Sequence, residues 1–195
     1  MTRARARVTR ARGSYDPRMT RAQDVLDFWF DPQHEKHWWK RSDAFDALIA
    51  ERFGALHMAA TRCELWHWRT DAPGRLAEIV VLDQFSRNLH RNSALAFAAD
   101  PLALALAQTA VALGADREVD LRHRAFFHMP YMHSESRAVH EEALKIFTAD
   151  GDPAYEIRHK AIIDRFGRFP HRNAVLGRES TSEEIEFLKT PGSSF

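Results

Sequence analysis

The sequence predicts an all-α fold of about eight helices packed as antiparallel pairs. Three observations predict it. Apolar residues recur at three- and four-residue spacing through most of the chain, as in Phe45, Leu48, Ile49, Phe53 and Leu56. Helix start and stop signals punctuate it at short intervals. Runs with the alternation of a half-buried strand are scarce. At 195 residues the chain fits one domain with a tail.

Thr20 is read as the cap of a first helix through Val25, Leu26 and Phe28, ended by Asp31-Pro32. Ser42 opens a second. Pro73 suits the first turn of a third, running to about Leu89. Asp100-Pro101 reads as a capping acid followed by a first-turn proline. The Leu/Ala helix it opens is expected to be central and to stop at Gly114. Further helices are expected over 121–129, ended by Pro130, over 134–148 with Ser134 as cap, and over 153–166. A capping box, Thr181-Ser182-Glu183-Glu184, starts the last.

Composition narrows the function classes. The chain is 45% hydrophobic and 28% charged, which is ordinary globular material, and no apolar run is expected to reach the ~20 residues of a membrane span. A single cysteine, Cys63, rules out an internal disulfide and a cysteine metal cluster, and points to a cytoplasmic setting. The whole-chain charge is +1, but residues 1–21 carry seven arginines against Asp16, or +6, which leaves −5 on the rest. The arm 1–19 is read as a disordered basic extension or a start placed too early, with Met19 the true start. The acidic body, 20–195, is read as a single helical domain. That acidity argues against nucleic-acid binding, and the five tryptophans of the N-terminal third are read as a packed aromatic cluster.

The third helix carries polar groups where apolar ones belong. Its stripe of Leu76, Ile79 and Val80 continues by three and four residues onto Asp83, Gln84, Arg87 and Asn88, with Arg91 a turn further. A buried carboxylate or guanidinium needs a partner, so these side chains must meet each other, a second polar segment or a ligand. His159 repeats the anomaly on the apolar stripe Tyr155, Ile162, Phe166. His133 and Glu135 follow Pro130 at a helix start, with His140 two turns along; the spacing matches no familiar zinc motif, and no metal or other cofactor is expected.

The segment Arg165-Phe166-Gly167-Arg168-Phe169-Pro170-His171-Arg172-Asn173 is the most unusual in composition. Three arginines and a histidine, broken by glycine and proline, describe a loop that presents donors. Arg168 and Arg172 offer planar forks for carboxylate or phosphate, and Arg178 lies just before the last capped helix.

At these clusters the chain resembles a bacterial family of unknown function, domain-of-unknown-function family 924, from about Val25 to Leu188. The resemblance rests on Leu82-Asp83-Gln84-Phe85-Ser86-Arg87-Asn88 with Arg91, Phe97 and Asp100. It continues through His133-Ser134-Glu135, His159, Arg165 to Asn173, and Leu176-Gly177-Arg178-Glu179-Ser180-Thr181 with Glu184. It implies a helical, tetratricopeptide-repeat-like fold and transfers no activity. His140 stands where the resemblance leads one to expect glutamine.

Two functional expectations follow. One is an enzyme of hydrolysis or proton transfer on a small anionic metabolite. Its acid–base residues would come from His159, His133, Glu135 and Asp83. Its binding residues would be Arg87, Arg91, Arg168, His171, Arg172 and Arg178. The other is a helical interaction module, with a protein partner, in which the same residues form a structural polar network.

Overall fold

A computed structural model describes residues 20–194. Residues 1–19, including the basic arm, lie outside the described residues. Those described are all-helical, with no strand among them. The helices are α1 (Ala22–Trp29), α2 (Asp43–Thr61), α3 (Ala72–Val80), α4 (Ser86–Leu89), α5 (Asp100–Ala112), α6 (Leu121–Met132), α7 (Arg137–Ala149), α8 (Ala154–Phe166) and α9 (Ser182–Phe187). A π-helical turn, Val81–Phe85, joins α3 to α4 without a break, so the segments form eight rods.

The centre of the molecule is this α3–π–α4 rod. Every residue from Leu76 to Ser86 is buried. α1 lies against α3, and α2 against the π turn and α4. α5 and α6 flank α3, and α6, α7 and α8 pack in succession. Trp29, Phe53, Phe85 and Phe127 are among the fully buried side chains, each contributing about 1.5–3 kcal/mol of burial. A smaller cluster of Ile162, Ile163 and Phe169, with Phe166 and Phe187, ties the C-terminal segment to α8.

The structure departs from the sequence reading at several places. The Leu/Ala helix α5 is peripheral: it packs through Ala103, Ala107 and Ala110, the residues small enough to seat it closely, and leaves its leucines half-exposed. The segment Ala94–Ala112 is long and apolar enough by length and composition to cross a membrane, contrary to expectation, although Asp100 within it is ion-paired. Asp100 does not cap α5; it is the first helical residue, and its carboxylate turns to arginines. Pro130 does not end α6: the helix continues past it to Met132, with the His133 N–H bonding back to the Met129 carbonyl. Ser136, not Ser134, precedes α7. Asp24 closes the start of α1 by accepting the Arg21 N–H at 2.8 Å, so the cap sits at Arg21. Of the five tryptophans, Trp29, Trp38 and Trp68 join the packed interior, whereas Trp39 and Trp66 are exposed. The capping box of α9 forms as read, with Thr181 Oγ1 accepting from the Glu184 N–H and Glu184 from the Thr181 N–H.

Candidate functional site

The site is built from five segments that meet beside the π turn. The turn widens the helix where Asp83 and Gln84 project inward, and π turns recur at functional positions in helices. Two carbonyls of this stretch are satisfied by side chains: Ser86 Oγ donates to Leu82 at 2.5 Å and Arg87 Nη1 to Asp83 at 2.7 Å.

His133, from the end of α6, reaches Asp83. Its Nδ1 lies 2.8 Å from Asp83 Oδ1. The ionised carboxylate only accepts, so Nδ1 carries the proton and the lone pair is on Nε2. Nε2 makes no hydrogen bond among the described residues. Burial pushes the His133 imidazole below its ordinary value, and Arg87 pushes the same way against the opposing pull of Asp83. Burial would raise the Asp83 carboxyl, but Arg87 and His133 outweigh it and hold it below the usual carboxylate range. The pair is therefore carboxylate and neutral imidazole at neutral pH.

Arg87 grips Asp100 with both arms of its fork, at 2.9 and 3.0 Å. Arg172, from the loop after α8, shares that carboxylate through one longer bond of 3.4 Å. Its guanidinium lies over two rings, 4.4 Å from the centre of Phe97 and 4.6 Å from that of Phe169. Arg172 is 6% exposed, and its Nε is sealed from solvent without a hydrogen bond among the described residues. Burial lowers its pKa to about 10, helped by Arg87 and opposed by Asp100.

Phe169 is the hub of the remaining side chains. The rings of His159 and His171 lie 5.9 and 5.7 Å from it. His159 donates from Nδ1 to the Tyr155 carbonyl at 2.8 Å and sits 6.5 Å from His133, ring centre to ring centre. Burial holds His159 down to about 3 and His171 to about 4. The Nδ1 of His171 is sealed and unpartnered among the described residues.

Other residues singled out in the sequence have partners of their own. Arg178 holds Glu135 with both arms, at 2.6 and 2.9 Å, while Glu135 also accepts the Phe169 N–H at 2.8 Å. Arg168 forks onto Glu184 at 2.7 and 2.8 Å. Arg91 turns toward α2, where Asp46 takes its guanidinium together with the Asn88 amide. His133, Glu135 and His140 face Asp83, Arg178 and Glu156 respectively, so they do not converge on a common point. The structure thus gathers Asp83, Arg87, His133, His159, His171 and Arg172, and sets Glu135, Arg168 and Arg178 behind them as a bracing layer. Sequence reasoning missed the role of Asp100, which it read as a cap, although Asp100 belongs to the same recognisable motif as Arg87. It also gave Phe97 no part, since a phenyl ring in a half-apolar loop carries no signal for a cation.

Residues 25–192 match the family described as bacterial protein of unknown function (DUF924). The chain is also similar to a solved protein of unknown function, ATU0120 from Agrobacterium tumefaciens. Identity is 39% and the TM-score 0.82, over 86% of this chain and 96% of that one. No curated protein matches it. With the family matched across nearly all the described helices, the chain belongs to the bacterial family of unknown function DUF924.

Proposed function

We propose that the protein is an enzyme of hydrolysis or proton transfer acting on a small anionic molecule, with the Asp83–His133 pair as its base. One observation carries this reading: a buried carboxylate fixes the tautomer of His133 and leaves Nε2 unengaged, beside two guanidiniums. In such a pair Nε2 takes the proton from water or from the reacting molecule, and Asp83 stabilises the imidazolium that forms. Arg172, with Arg87 behind it, would orient the anion, and the neutral His159 and His171 would line the approach. A positioned base of this kind contributes on the order of 10²–10⁴-fold in rate.

The test is a nuclear magnetic resonance screen of pooled anionic metabolites and simple esters with the wild type and His133→Asn. Turnover of one compound, reduced about 10²-fold or more in a folded variant, is the expected result. Turnover that is equal in the two proteins would sink the reading.

A second reading, a structural polar network inside an interaction module, draws on a different observation. Arg87, Arg168, Arg172 and Arg178 all have carboxylate partners within the chain. It requires that both His159→Ala and Arg168→Ala lower stability, since each removes a side chain from the network and leaves its partners unsatisfied. Unchanged melting of both variants rejects it.

A further inference from the structure

We propose that the Nε/Nη2 edge of the Arg172 guanidinium seats a monoanionic carboxylate of the molecule on which His133 acts, a choice of ligand class that rests on the functional reading above.

The geometry of the fork comes first. Arg87 has both arms committed to Asp100 and a third bond to the Asp83 carbonyl, so it has little left to offer. Arg172 is different. Only Nη1 is engaged, at 3.4 Å, while Nε and Nη2 make no hydrogen bond among the described residues. Nε and Nη2 project in parallel from one side of the planar group, which is the edge that meets both oxygens of a carboxylate. The contacts with Phe97 and Phe169 restrict the plane of the guanidinium, so that edge is held in one direction. A buried donor left unmade is costly, and Arg172 Nε is such a donor.

Charge decides between carboxylate and phosphate. The cluster has two cations, Arg87 and Arg172, and two anions, Asp83 and Asp100. Glu135 is matched by Arg178. Burial keeps His133, His159 and His171 uncharged at neutral pH. Among the described residues the sum is zero before any ligand arrives. A monoanion leaves one net negative charge in a largely buried site, whereas a phosphate dianion leaves two, and the second is penalised steeply where water is scarce. Burial and Arg87 both disfavour the charge on Arg172, and an added anion at its free edge relieves that. The ring of Phe97, only partly buried beside the guanidinium, favours a ligand with an apolar body behind its carboxylate.

The experiment is calorimetric titration of the full chain with acetate and benzoate, set against inorganic phosphate and sulfate at matched ionic strength. The carboxylates are expected to bind, benzoate more tightly, and the tetrahedral anions to bind at least about tenfold more weakly. Arg172→Lys keeps the charge and loses the planar edge, so carboxylate affinity should fall about tenfold. If that variant does not fold, the Arg172 Nε–H resonance of the wild type replaces it; carboxylate should move it and phosphate should not. Equal or tighter binding of phosphate, carboxylate binding unaffected by Arg172→Lys, a motionless Nε–H signal, or no binding at all would each overturn the assignment. His133→Asn separates the two claims. Carboxylate binding with turnover indifferent to His133 removes the base alone. Phosphate preference with turnover lost in His133→Asn removes the carboxylate alone.

Discussion

His140 and Glu156 face each other at 2.6 Å, and neither side chain is exposed to solvent. The other ring nitrogen of His140 donates to the Ser134 carbonyl at 2.8 Å. That carbonyl lies between His133 and Glu135, so a pair linking α7 to α8 also anchors the turn that carries the candidate base. His140→Ala should cost about 3–5 kcal/mol, because Glu156 is left buried and unpartnered. The double variant His140→Leu/Glu156→Leu should recover much of that loss in denaturant midpoint. A single-variant cost under about 1 kcal/mol would mean the pair contributes little.

Arg168 ties the C-terminal segment to the site's rear. Its fork holds Glu184, which also caps α9 and accepts from Asn173. The Arg168 fork first, and the Thr181 N–H after it, hold the Glu184 carboxyl down to about 2. Arg168→Ala is expected to lower the melting temperature, because the buried Glu184 carboxylate loses its guanidinium partner. The contribution of Glu184 is fully present above its ordinary pKa of 4.5 and fades as pH falls toward 2. An acid titration of wild type against Glu184→Gln should therefore converge below pH 4.5, and parallel curves would contradict the assignment.

Three buried histidines set the response to milder acid. Burial lowers His57 to about 4, His159 to about 3 and His171 to about 4, from an ordinary 6.5. The unfolded chain takes up these protons first. Stability is then complete above pH 6.5 and is lost as pH falls through the interval between 6.5 and 4. Each histidine contributes a slope of up to about 1.4 kcal/mol per pH unit. Urea midpoints measured at pH 8.5, 7.5 and 5.5 should be level between the first two and drop at the third. A midpoint that rises on acidification would reverse the sign of this argument.

Helix periodicity and caps made most of the rods legible, because each rod hides a stripe and announces its start locally. Asp83, Arg87 and His159 were legible for a related reason: each interrupts a stripe that should be apolar; His133 stood out only as a polar residue after Pro130 at an expected helix start. Partnerships were not legible. Arg87 with Asp100, Arg178 with Glu135 and His140 with Glu156 join residues that only tertiary packing brings together. The same holds for Glu78, fully buried on α3 and forked by Arg69 at 2.7 Å; in the sequence it is an ordinary helix-surface acid. The position of α5 misled for the opposite reason. A helix of leucine and alanine reads as central, yet its small residues were the ones that packed.

Gly74 marks how closely the central rod is seated. A Cβ there would lie 1.9 Å from the Trp68 carbonyl oxygen and 2.8 Å from its carbon. Both are backbone atoms and cannot swing aside, and the Gly74 N–H is bonded to the capping Asp71 at 2.8 Å. Gly74→Ala must displace the first turn of α3 or the preceding segment, at a cost of about 3 kcal/mol. Thermal melting checks it; a variant as stable as the wild type would show that the approach is looser than the structure has it.

Asp100 governs both stability and ligand charge, since Arg87 and Arg172 share it. Asp100→Asn keeps the shape and removes one of the cluster's two negative charges. Arg87 then loses its bidentate partner, so folding stability should fall by about 3 kcal/mol. The cluster's net charge moves from zero to +1, so the same change should strengthen anion binding. Acetate should therefore raise the melting temperature of Asp100→Asn by more than it raises that of the wild type, through mass action on the folded state. If acetate stabilises both proteins equally, the bound anion does not sense the charge of Asp100 and lies away from Arg87 and Arg172.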